Sequence, residues 1–264
     1  MFKAEFFKLI NTKKFIFISI GLFLITFPDL IYNWWECVYP PHFVGWEWVT
    51  HPCKAAFLSS NSIGHLPQIV LNWLLPIILL IMGCDSSNRE MRLGVRNISI
   101  IRKNRQSYLS NKFIASFFAI STVFFVICML NWILCLIIFR NGSTFASLEN
   151  QITEQDAPFL YYQFTHPFLI YFLYIIMFSI VTGLCGLMCQ ALASMVRDIK
   201  KVYLLAFIIW FLQLSVPPYL ANALQPFTET PLDDTILGIL RFVIIVFIIS
   251  AISIIVHWKR KDEI

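Results

Sequence analysis

Apolar positions along this chain gather into six long runs, at about 15–32, 66–84, 113–139, 168–195, 202–220 and 236–258, while polar positions collect between them. A helix needs about 20 consecutive apolar residues to cross the hydrocarbon core of a bilayer. Lipid offers a bare backbone no hydrogen bonds, so runs this long and this apolar are expected to be helices. The pattern therefore predicts an all-α membrane protein with six transmembrane helices, the whole of 1–264 forming one membrane domain. Ahead of the first run, Phe2, Phe6, Leu9 and Ile10 share a helical stripe, with Lys3, Glu5 and Lys8 on the wetter side. That spacing predicts a short interfacial helix, against the plainer alternative of a basic anchor.

Charge orients the runs. Of the 20 basic residues only Lys54, Arg140 and Arg241 lie outside the N-terminal segment, the loop after the second run, the turn after the fourth and the C-terminal tail. The positive-inside rule puts those four segments, and with them both termini, in the cytoplasm. Glu36, Glu47, Glu149, Glu154, Asp156, Glu229, Asp233 and Asp234 fall on the other side. Composition agrees: 58% hydrophobic and 13% charged residues are incompatible with an ordinary soluble domain, where charged residues approach a quarter. The net charge of +5 reads as a cytoplasmic basic rim facing anionic membrane lipids rather than a nucleic-acid surface. The first run lacks a small-residue cleavage pattern and is expected to stay in the chain.

The loops carry the finer signals. The segment 33–65 is rich in aromatic residues, among them Trp34, Trp35, Trp46 and Trp48, and is expected to fold back on the outer membrane surface as a re-entrant or lid-like element. It also holds Cys37 and Cys53, which a disulfide could join across about 15 residues, worth about 3 kcal/mol, though spacing cannot decide the pairing. His42, His51 and His65 with these cysteines match no compact ligand spacing, so no metal site is expected. The remaining cysteines sit in or beside the runs and read as small apolar packing residues. Gly183 and Gly186 with Ala191, Ala193 and Ser194 predict that the fourth run packs at the centre of the bundle.

The loop from Gly83 to Phe118 is the most specific. Met91, Leu93, Val95, Ile98, Ile100 and Ile101 alternate with arginines, as suits a short amphipathic helix docking into a groove on a partner protein, against the alternative of a solvated basic turn. Two charges near run ends stand out. Asp29 lies towards the outer end of the first run, and Arg241 about one and a half turns inside the sixth, or roughly 7 Å. At similar depth they could pair as an external gate, or simply snorkel to the interface. Gln213 interrupts the fifth run just before Pro217-Pro218, lining a route through the protein or ending the helix.

Several chemistries are missing. The chain has no H-E-x-x-H, no G-x-S-x-G and no G-x-x-x-x-G-K-S/T. It is not expected to be an enzyme, and any work it does would draw on a partner.

With its interfacial start, six runs and long basic loop after the second, the chain resembles the ABC-2 type transporter permeases, most closely the small bacterial branch for peptide or lantibiotic immunity and export. Residues Met1 to Phe15 resemble that family's amphipathic start. The stretch Asn88-Arg89-Glu90-Met91-Arg92-Leu93-Gly94 resembles its acid-x-x-x-Gly segment, and Arg105, Tyr108 and Lys112 match the positions leading into the third span. Val95 stands where the family usually has threonine.

The resemblance implies a coupling helix near 89–101, with Arg89, Glu90, Met91, Arg92, Leu93, Gly94 and Ile98 seated on a separate cytoplasmic ABC ATPase subunit that holds ATP and magnesium. It further implies a second permease copy or paralogue, no cofactor in this chain, and a multi-pass location in a bacterial plasma membrane. The expected function is then export of a hydrophobic or amphipathic substrate, such as an antimicrobial peptide or lipid, with Trp34, Trp35, Trp46, Trp48 and Gln213 as candidate substrate contacts. The alternative is a membrane sensor or scaffold that binds an extracellular peptide and signals through a cytoplasmic partner.

Overall fold

The computed structural model describes residues 2–40, 42–59, 65–94, 105–145, 152–153, 155 and 157–259. Eleven α-helices run through them: α1 Phe2–Ile10, α2 Lys13–Ile25, α3 Phe27–Cys37, α4 Pro52–Ala55, α5 Leu66–Leu79, α6 Ser86–Arg92, α7 Arg105–Ile138, α8 Pro158–Thr165, α9 Pro167–Met195, α10 Ile199–Ser215 and α11 Leu232–Lys259. Among the described residues there is no strand, only one isolated bridge between Thr50 and Thr144.

Five segments are long and apolar enough to cross a membrane: Lys13–Cys37, Leu66–Cys84, Ser107–Ile138, Pro167–Met195 and Leu232–Val256. This is the architecture of a multi-pass membrane protein. The first spans α2 and α3 and is longer than its apolar run, with a break at Thr26 beside Pro28. The run at 202–220 differs more. It forms α10, whose 17 residues reach about 25 Å at 1.5 Å each, and the helix ends at Ser215 rather than 220. Two prolines, at 217 and 218, have no amide hydrogen to continue it.

Helix α9 sits at the centre of the bundle. It is the most enclosed of the five segments, 56% buried, against 17% for the segment in α11. Small residues make that possible, as their spacing predicts. A Cβ on Gly183 would come within 2.0 Å of Ser121 Oγ and 2.9 Å of the Phe117 carbonyl, so α7 and α9 touch backbone to backbone there. Cys185 and Cys189 are buried packing residues.

In α5, Pro76 cannot donate to the carbonyl of Asn72, and the indole of Trp210 in α10 donates to it instead, at 2.7 Å. Helix α5 then winds into a single π turn, Leu80–Cys84, where Gly83 takes φ 131°. That backbone excludes side chains, and a Cβ there would also meet Leu9 of α1 at 2.8 Å.

On the side expected to face outward, the aromatic loop folds back into the bundle. Residues 49–59 are all buried. Irregular backbone at such a position requires protein partners for its amides. Asn131 of α7 accepts from the Phe57 amide at 3.0 Å, Tyr171 of α9 accepts from the Leu58 amide at 3.2 Å, and the Cys135 thiol reaches the Ala55 carbonyl at 3.7 Å. The amides of Ser143 and His51 close the clip against Val49 and Thr144.

Candidate functional site

The polar loop after the second span becomes a built site through one carboxylate. Helix α6 starts directly after the π turn of α5, and its residues Ser87, Asn88 and Glu90 face inward and are buried. Asn88 donates to the carbonyls of Val196 (2.7 Å) and Arg197 (3.0 Å), satisfying acceptors that the end of α9 leaves open. Gln190 of α9 bonds Ser87 Oγ at 2.5 Å, and with its amide turned it also donates to the Cys84 carbonyl at 2.8 Å. Helix α6 is thereby fastened to the central helix along one face.

Glu90 completes the fastening on the other flank. One carboxylate oxygen accepts from the ammonium of Lys8 in α1. The other accepts from Tyr108 and from Lys112, both in α7, the latter at 2.6 Å. Glu90 is 7% exposed and Lys112 4%. Burial opposes the carboxylate charge, but the adjacent Lys112 ammonium and the three donors outweigh it, holding the Glu90 carboxyl down to about 2. Three elements far apart in sequence, α1, α6 and α7, thus meet on one buried ion cluster.

The opposite face of α6 is open. Arg89 and Arg92 are exposed, Arg89 pairing with Asp85 one turn back at 2.9 Å, and Leu93 is 69% exposed. Met91 is half-buried, and Gly94, at φ 70°, ends the helix. Of the helix expected near 89–101, residues 89–92 form the end of α6, which begins earlier, at Ser86. Ile98 and the other aliphatics of 95–104 lie outside the described residues.

A cavity of about 270 Å³ opens between α1, the π turn and α6, with Lys8, Leu9, Gly83, Arg89, Glu90 and Leu93 among its walls. Among the described residues, no three His, Cys, Asp or Glu side chains gather where a metal could sit.

Elsewhere the sequence-derived candidates divide. Asp29 and Arg241 are not joined within the protomer. Arg241 donates to Gln213 Oε1 (2.9 Å), to the Gln213 carbonyl (3.0 Å) and to the Pro217 carbonyl (2.9 Å), closing the frayed end of α10. Asp29 accepts from Asn33 at 2.8 Å. Gln213 is thus a buried strut for Arg241 rather than an open lining residue.

Cys37 and Cys53 are both free thiols, Cys37 lying 3.4 Å from Thr50 Oγ1. Burial pushes the Cys53 thiol up to about 12. Trp34, Trp35, Trp46 and Trp48 are all exposed, with Trp35 stacked on Tyr39. The loop acids Glu149, Glu154 and Asp156 lie outside the described residues.

The anchoring role of Lys8, Asn88, Tyr108, Lys112 and Gln190 emerges only with the fold. Tyr108 and Lys112 already stood out as matching a resemblance. A conventional signal for the rest was Glu90 itself, the acid of a basic loop, which demands buried partners once it leaves water.

Compared with known proteins, the chain is 32% identical over 213 residues to a protein of Bacillus subtilis (strain 168) named "Uncharacterized protein YybM", covering 81% of this chain and 84% of that one. No family model matches, and no solved structure matches.

Proposed function

This chain belongs to the family of the Bacillus subtilis protein YybM, and from its sequence resemblance and the geometry of α6 we propose that it is the membrane-spanning permease subunit of an ATP-driven exporter of the ABC-2 type. It works as a dimer with cytoplasmic ATPase subunits that bind ATP and magnesium. A further span, fifth of six in chain order, is α10, at the lower limit of spanning length, and both termini lie in the cytoplasm of a bacterial cell.

The observation that carries this reading is the two-faced character of α6. One face is locked to α1, α7 and α9 through Glu90, Asn88 and Ser87, while Arg92 and Leu93 stand exposed on the other beside the Arg89–Asp85 pair. A leucine held in water between arginines at the tip of a rigid helix suits a groove on a partner. Force applied there passes directly into the spanning helices, because α6 cannot slide without breaking a buried ion cluster. On the outer side, the exposed tryptophans offer a surface for a hydrophobic or amphipathic substrate such as an antimicrobial peptide or lipid.

Purification of the tagged chain from its host in mild detergent tests the proposal. Stoichiometric recovery of an ATPase subunit, lost on Leu93→Asp with Arg92→Glu, is the expected result. Recovery of a kinase or other signalling protein in its place overturns the proposal and favours a sensor.

A further inference from the structure

The cavity between α1, the π turn and α6 combines an apolar floor with a cationic mouth. Leu9 and Met82 form the floor, and Leu93 stands exposed at the rim. Lys14 and Arg89 line the mouth beside Thr12, the residue that caps the start of α2. The first amides of α2 have no partner within the helix, and its dipole adds partial positive charge at the same point.

The acids do not cancel this field. Glu90 is neutralised by Lys112 from behind and Asp85 pairs with Arg89, leaving Lys8 and Lys14 against Glu5, a surplus of one positive charge. About 270 Å³ is too small for a whole phospholipid but accommodates a phosphate and its glycerol. Ile16, Phe17 and Ile20 of α2, all exposed, continue the apolar surface away from the mouth.

We propose that this cavity is a binding site for an anionic phospholipid, its phosphate held by Lys14, Arg89 and the start of α2, with its acyl chains lying along the exposed face of α2. The inference goes beyond the exporter reading and does not depend on it. A bound lipid here wedges α1 against α6, so lipid composition sets how firmly the two helices are held together.

Native mass spectrometry of the delipidated full chain, titrated with phosphatidylglycerol, phosphatidylcholine of the same chains, or inorganic phosphate, tests it without any ATPase. Retention of one phosphatidylglycerol in preference to phosphatidylcholine is expected. Lys14→Gln with Arg89→Gln reduces that retention about tenfold or more, whereas Lys13→Gln, whose residue does not line the cavity, leaves it unchanged. Both altered positions are exposed, so folding is checked simply by an unchanged melting temperature. Equal retention of the two lipids, an equal loss with Lys13→Gln, or inorganic phosphate competing as well as phosphatidylglycerol overturns the proposal, the last by identifying a plain anion site.

Discussion

Replacing Glu90 with Gln removes one charge and leaves the other stranded. The Lys112 side chain is 3% exposed and sits 2.6 Å from the Glu90 carboxylate, so in the variant its ammonium stays buried without a counter-charge. Breaking a buried pair from one side costs about 3–5 kcal/mol, most of it the penalty of that stranded ion. At roughly 2–4 °C per kcal/mol for a chain of this size, the melting temperature should fall on the order of 10 °C.

Lys8, whose side chain is 56% exposed, makes the second contact to Glu90. Lys8→Met should cost no more than about 1 kcal/mol, because solvent already screens that pair. The double variant Glu90→Gln, Lys112→Met removes both charges and should lose less than either single change. A thiol-reactive dye reports the unfolding, since six of the seven cysteines are buried in the folded state. Shifts under about 2 °C for both Glu90→Gln and Lys112→Met, or strict additivity in the double, would refute the reasoning.

The same cluster sets a pH dependence. The Glu90 carboxyl is lowered from 4.5 to about 2, so its contribution is complete above pH 4.5 and disappears as pH falls from there towards 2; the stability gap between wild type and Glu90→Gln should close across that window and stay constant from pH 5 to 8. Gly83→Ala forces a side chain onto φ 131° and into Leu9, and should destabilise by about 1–3 kcal/mol, with no full rescue from Leu9→Ala because the backbone strain remains. Asn131→Ala strands the buried Phe57 amide at a cost of about 1–3 kcal/mol and should quicken labelling of Cys53, measured by maleimide mass shift. In the native protein, Cys37 should label and Cys53 should not, its thiol being both buried and raised to about 12; a non-reducing disulfide between them contradicts the structure.

What the sequence made legible follows from which quantities lie along the chain. Depth does. The apolar runs place five spanning segments within a few residues, and the Gly183–Gly186 spacing correctly puts α9 at the centre. The tryptophan-rich loop reads as an element folding back on the outer membrane surface; its segment 49–59, which holds no tryptophan, is buried in the bundle against α7 and α9.

Azimuth does not lie along the chain. Asp29 and Arg241 read at similar depth from their places in the apolar runs, yet nothing in one-dimensional spacing says which neighbours they face. Arg241 faces Gln213 on α10 and Pro217 just beyond its end. The Cys37–Cys53 pairing fails for the same reason: a loop of suitable length does not fix the direction of two Cβ atoms.

At the α6 site, the stretch Asn88–Gly94 was visible as a motif, but its inner and outer faces were not. Glu90 looked like part of a docking surface and is instead buried, because Lys8 lies 82 residues away and Lys112 22 residues away, beyond any helical periodicity.

Site-specific photo-crosslinking at position 93 in native membranes addresses the central claim most directly, since Leu93 is an apolar residue 69% exposed at the end of α6. The account predicts one major adduct, with a cytoplasmic ABC ATPase, absent when the probe is moved to the buried position 88. Adducts with lipid alone, or with a protein that is not an ATPase, would contradict it.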